Sequence, residues 1–132
     1  YNRVYLKQGS RFISVSGNET GAEFYQNPDM PYEVVEDLGK QTFGTFVSIE
    51  PQEERAIEYE YEVPESVVAG DEYRLYVQKQ IGTIAPVFKA RLLFDREIDT
   101  VGPQEYVKKI SDTEVEISSN LQIDREFIIT FK

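Results

Sequence analysis

Residues 55–63 read RAIEYEYEV, and they alternate with a period of two. Ile57, Tyr59, Tyr61 and Val63 share one side, while Glu58, Glu60 and Glu62 share the other. Successive side chains of a β-strand point to opposite faces, so this rhythm predicts a strand with one buried face and one wet face. The rhythm recurs down the chain. In EYRLYVQKQ, Tyr73, Leu75 and Val77 oppose Arg74, Tyr76 and Gln78. In PVFKARLLFD, Phe88, Ala90, Leu92 and Phe94 oppose Lys89 and Arg91. Val115 and Ile117 alternate with Glu114 and Glu116, and Phe127, Ile129 and Phe131 with Ile128, Thr130 and Lys132.

Further strands are expected at Val4–Leu6, Phe12–Ser16, Thr42–Ile49 and Leu121–Ile123, with weaker ones at Glu23–Tyr25 and Tyr32–Val35. Between the runs fall SGNETG, QNPDMP, DLGK, EPQEE, VAGDE and TVGPQ, all rich in turn formers. No run of about ten or more residues keeps helical spacing. A single helical turn fits Glu65–Ala69 or Pro103–Lys108. About nine short strands, each with one apolar face, predict an all-β chain. The expected form is one antiparallel β-sandwich, immunoglobulin-like, spanning residues 1–132, with a closed barrel as the rival. The expected core is Val4, Leu6, Phe12, Val15, Phe46, Ile57, Tyr59, Tyr61, Leu75, Val77, Phe88, Leu92, Phe94, Val115, Ile117, Phe127 and Ile129.

Composition narrows the chemistry. The 132 residues carry 14 basic and 24 acidic side chains, a net charge of −10. That field repels nucleic-acid backbones and anionic lipid heads, and it suits a cationic partner. The chain has neither cysteine nor histidine. Disulfides, thiolate metal sites and every serine–histidine or cysteine–histidine mechanism are thereby excluded. No apolar run of membrane length occurs, and no cofactor motif is present. The chain opens on YNRVYL, already patterned like a strand, and reads as a soluble fragment of a longer protein.

Paired carboxylates are the one catalytic chemistry with enough residues, and they need a perturbed acid in a cleft. The acids here fall at alternate positions of single strands, which sets them on open faces. DREIDT offers Asp95, Glu97 and Asp99 as calcium oxygens, and the GNET and NPDM loops offer more, but nothing matches the twelve-residue calcium loop. A lysine–asparagine crosslink would draw on Lys79, Lys89, Asn18 and Asn120, each in an exposed or turn setting. Gly44, between Phe43 and Phe46, marks a bulge or a close backbone approach. The candidate ligand or partner surface is Arg74, Tyr76 and Gln78 on the polar side of their strand. A glycan reading adds Tyr25 and Tyr32, which flank the NPDMP loop, although no tryptophan supplies a stacking platform.

Three segments carry a resemblance. NRVYLKQGSRFISVSG, GKQTFGTFVSIEPQEERAIEYEYEVP and YRLYVQKQIGT, in that order, resemble the C-terminal region of a bacterial family, domain of unknown function 4012 (DUF4012). The likeness covers roughly residues 2 to 94. It implies an extracytoplasmic, cell-surface module whose parent is anchored by an N-terminal membrane segment, meeting a protein or glycan there. It carries over no catalytic residue. The resulting expectation is a non-enzymatic structural or protein-interaction module, with a carbohydrate-binding module as the alternative. Its interaction surface is either the Arg74–Tyr76–Gln78 face or a free sheet edge open to strand addition.

Overall fold

The structure is a computed structural model describing residues Tyr1–Lys132. It is all-β: twelve strands, every pairing antiparallel, and one 3-10 turn at Glu65–Val67. The strands gather into two compact units, Tyr1–Glu65 and Ser66–Lys132. The physical reason lies in the pairing, since every strand finds its partners within its own half of the chain.

The first unit holds β1 (Asn2–Leu6), β2 (Arg11–Ser16), β3 (Glu33–Asp37), β4 (Lys40–Thr45) and β5 (Glu58–Glu62). They form a β1-β4-β3 sheet and a β2-β5 pair. Glu58, Glu60 and Glu62 face water and Ile57, Tyr59 and Tyr61 are half-buried, as the alternation requires. Strand β4 does not alternate, because it is covered on both faces: Thr42, Phe43, Gly44 and Thr45 are all buried. Phe43 meets Phe12 of β2 with ring centres 5.3 Å apart and Tyr61 of β5 at 6.0 Å. Those rings join the unit's two sheets into one aromatic core. Between β3 and β4, Leu38 and Gly39 both have positive φ, 53° and 70°. Two such residues make the tight hairpin turn whose twist matches antiparallel strands. The run expected at Thr42–Ile49 stops at Thr45, and Glu23–Tyr25 is a turn closed by the Phe24 N–H on the Gly21 carbonyl at 3.1 Å.

The second unit holds β6 (Val68–Ala69), β7 (Glu72–Val77), β8 (Val87–Leu93), β9 (Ile98–Gly102), β10 (Val107–Lys109), β11 (Glu114–Asn120) and β12 (Arg125–Phe131). One sheet runs β6-β7-β12-β9 and the other β10-β11-β8. Both feed one buried cluster of Ile98, Val107, Val115, Ile117, Phe127, Ile129 and Phe131. Phe88 of β8 lies nearly parallel to Phe127 of β12 at 6.0 Å, and Phe94 meets Phe131 edge-on at 4.9 Å. The strand order differs from the immunoglobulin one, in which the last two strands share a sheet. Here β12 pairs with β7 and β9, while β11 lies in the other sheet. The expected strand at Leu121–Ile123 is a turn, pinned by the Asn120 carboxamide oxygen accepting the Gln122 N–H at 3.2 Å. The helical turns read from sequence appear at Glu65–Val67 and after Pro103, whose carbonyl accepts the N–H groups of Tyr106 and Val107. No helix is long and apolar enough to cross a membrane.

Candidate functional site

Three surfaces answer to the sequence candidates. The first is the outer side of β7. Tyr73, Leu75 and Val77 pack against the core, so Arg74 and Tyr76 must project outward. Antiparallel β12 sets Glu126 opposite Tyr76 and Ile128 opposite Arg74. The Arg74 guanidinium therefore reaches Glu126 at 3.1 Å, and it also hydrogen-bonds Glu72 on its own strand. The Tyr76 hydroxyl donates to Asp124 Oδ2 at 2.6 Å, and the Lys79 N–H donates to Asp124 Oδ1 at 2.8 Å. These two donors hold the Asp124 carboxyl below its usual range. The same Asp124 bond, aided by partial desolvation, raises the Tyr76 phenol, while a Gln78 side-chain bond opposes that shift. The structure thus brings Arg74, Tyr76 and Gln78 together. Arg74 and Tyr76 have their polar groups engaged by neighbouring acids, Gln78 bonds Tyr76, and the Tyr76 and Lys79 bonds to Asp124 strap the end of β7 to the turn before β12.

The second surface is a groove of about 470 Å³ in the first unit. Phe24, Tyr25, Tyr32 and Phe46 supply rings, with Gln26, Asn27, Met30 and Glu33 around them. Tyr25 is held by its hydroxyl, which contacts Thr45 Oγ1 at 2.7 Å and accepts the Phe46 N–H at 2.9 Å. Tyr32 stacks on Phe12 at 4.2 Å. The loop is shaped by Asn27, whose side-chain oxygen accepts the Asp29 N–H and whose carbonyl accepts the Met30 N–H. As ligand-contacting rings the sequence points to Tyr25 and Tyr32; it places Phe46 in the core and offers the NPDM loop as calcium oxygens. The cluster QNPDMP was legible as a turn, but not as the wall of a groove.

The third surface is the edge strand β8. The Phe94 N–H bonds the Thr113 carbonyl, and the Leu121 N–H bonds the Pro86 carbonyl, both at 2.9 Å. With Leu92 opposite Val115, the even residues of β8 turn their backbone groups toward β11. The Ser118 N–H meanwhile bonds Tyr106, so the even residues of β11 serve β10 instead. Val87, Lys89, Arg91 and Leu93 consequently point their N–H and C=O groups away from the sheet. All four side chains are exposed, Val87 at 73% and Leu93 at 70%. Arg91 pairs with Glu114 at 2.5 Å.

The remaining sequence candidates are dispersed. Glu97 pairs with Lys132 at 2.5 Å, and no three acids gather closely enough to hold a metal. Asn18 donates to the carbonyls of Pro31 and Glu19, and Asn120 receives Arg125, so neither lies in a lysine–asparagine–acid set. Gly44 fits the close-approach reading: a Cβ there would overlap the ring of Tyr1.

The geometry defines an all-β chain with a satisfied polar strap, an aromatic groove and an unpaired strand edge. Compared with family models, curated proteins and solved structures, the chain matches none.

Proposed function

We propose that the chain is a non-enzymatic protein-interaction module, extracytoplasmic in its parent, that takes up an extended segment of another protein along β8. In this reading the second unit is a two-layer sandwich, its four-stranded and three-stranded sheets closing on the shared cluster around Phe127 and Ile117. The observation that carries the proposal is the row of outward backbone groups at Val87, Lys89, Arg91 and Leu93. An added strand gains main-chain hydrogen bonds there and side-chain specificity at alternate positions. The edge also discourages its own copy. Antiparallel self-pairing centred on Ala90 would set Lys89 opposite Arg91 of the second molecule, and like charges directly across a ladder are unfavourable.

Protein is favoured over glycan because Tyr76, the ring expected to stack on sugar, has its hydroxyl and its neighbour Arg74 occupied by acids. The two carboxyls whose acidity is shifted, Glu53 and Asp124, are not suited to donate a proton near neutral pH. Glu53, bonded by the Glu50 N–H and then by Arg55, and Asp124 both move toward stronger acidity. A proton donor working near neutral pH needs the opposite shift. The extracytoplasmic placement and the membrane-anchored parent rest on the DUF4012 resemblance.

The test is panning of a displayed peptide library against the whole chain and against Lys89→Pro. Proline at position 89 removes an outward N–H and leaves the ladder to β11 intact. Peptides that bind the parent chain and lose the variant are the expected result. Peptides that bind both equally would place recognition elsewhere.

A further inference from the structure

The aromatic groove of the first unit has chemistry that the β8 proposal does not use. Its walls are the rings of Phe24, Tyr25, Tyr32 and Phe46, with the thioether of Met30 at the rim. Because the Tyr25 hydroxyl is bound on its inner side by Thr45 and the Phe46 backbone, that residue offers the groove its ring and not its oxygen. Glu33 is the sole charged side chain of the lining, and no basic residue lines it. Arg3, across β4 from Glu33, is engaged by Asp37 and Tyr5, both at 3.4 Å, and its guanidinium lies 5.0 Å from the centre of the Tyr1 ring, outside the groove lining. Tyr1 places its hydroxyl on Glu33 and its ring 4.7 Å from Phe46, so Glu33 is held beside the aromatic wall. Gly44 makes that possible by leaving space for the Tyr1 ring over β4.

Ring faces carry negative potential and attract cations, and a carboxylate beside them adds to the attraction. An anionic ligand would meet Glu33 and a chain of net charge −10. A neutral sugar would rely on side-chain amides, and Asn27 has its oxygen committed to the Asp29 N–H. We propose that the groove receives a cationic side chain, lysine or arginine, from a basic partner polypeptide. Its aliphatic stem would lie along Met30 and the rings, and its charged head would meet Glu33. The volume of about 470 Å³ falls in the usual range of ligand pockets, ample for one such side chain.

The experiment titrates the whole chain, labelled for amide and methyl NMR, with the capped tripeptides Gly-Lys-Gly and Gly-Arg-Gly. Gly-norleucine-Gly serves as the uncharged counterpart, and methyl glucoside as a neutral sugar. The expected result is saturable shifts at the Met30 methyl and at the Gln26 and Asn27 side-chain amides with the cationic peptides only, weakening as salt is added. Glu33→Gln should lower that affinity about tenfold while leaving the rest of the spectrum in place. Met30→Ala, a second exposed change, should weaken lysine and arginine peptides together. Equal shifts from norleucine, saturation by the glucoside alone, no saturable shift from either cation, or unchanged affinity in Glu33→Gln would each overturn the proposal. Because the probes lack an extended strand, the result is independent of the fate of the β8 reading.

Discussion

Phe43→Ala tests the core of the first unit. Phe43 is fully buried on the central strand and touches rings from both members of the β2-β5 pair. Enclosing a phenylalanine removes roughly 150–250 Å² from water. At about 25 cal/mol per Å² that is about 4–6 kcal/mol, of which alanine keeps a part. The expected loss is therefore about 3–5 kcal/mol, including the cavity left between Phe12 and Tyr61. A unit comprising half of this chain has a total stability of about 3–10 kcal/mol by the usual per-residue figure, so the change consumes a large share of it. Phe43→Leu, which refills part of the space, should cost about 1–2 kcal/mol. Urea titration followed through the amide signals of Gly44 and Thr45 reads the effect where it occurs. A loss under about 1 kcal/mol for Phe43→Ala would mean that the ring is not enclosed and that the two sheets of this unit do not share a core.

Other predictions follow from single groups. The Thr42 hydroxyl is buried without a hydrogen-bond partner, so Thr42→Val should stabilise the first unit by about 1 kcal/mol in the same urea assay. Leu38 occupies a left-handed position that asparagine adopts more readily, so Leu38→Asn should raise the melting temperature, with a gain of about 0.5–1 kcal/mol. Asp124 has a depressed pKa in the folded chain, so its contribution to stability is present above the ordinary aspartate value and is lost as pH falls through the folded one. Tyr76→Phe removes its strongest donor and should move the Asp124 midpoint upward in a carboxyl NMR titration, while Gln78→Ala should not lower it.

The alternating strands were legible because one wet face and one dry face leave a period of two in the residues. Every residue expected in the core, from Val4 to Ile129, is at least half-buried. What stayed hidden has physical causes. Phe43 lies in KQTFGT, where burial on both faces erases the alternation. Ile98, fully buried, sits in REIDT among charges that resemble a solvated or metal-binding segment. Strand β10 is only three residues long and follows a turn at Pro103, so its local signal was helical. The division into two units depends on which strands pair, which periodicity does not encode. For the sites, Arg74 and Tyr76 were correctly placed on the outer face. Their partners Asp124 and Glu126 come from the turn before β12 and from β12 itself, at sequence separations of 48 and 52. The period of two likewise sets Lys89 and Arg91 on the outer face. That their backbone groups point away from the sheet follows only from β11 serving β8 with its odd residues.

Amide hydrogen exchange along β8 tests the central claim most directly, without a partner. The N–H groups of Phe88, Ala90, Leu92 and Phe94 should exchange slowly, while those of Val87, Lys89, Arg91 and Leu93 exchange at nearly unprotected rates. Uniform protection of all eight would show that the edge is already covered, and β8 would not be the surface that receives another strand.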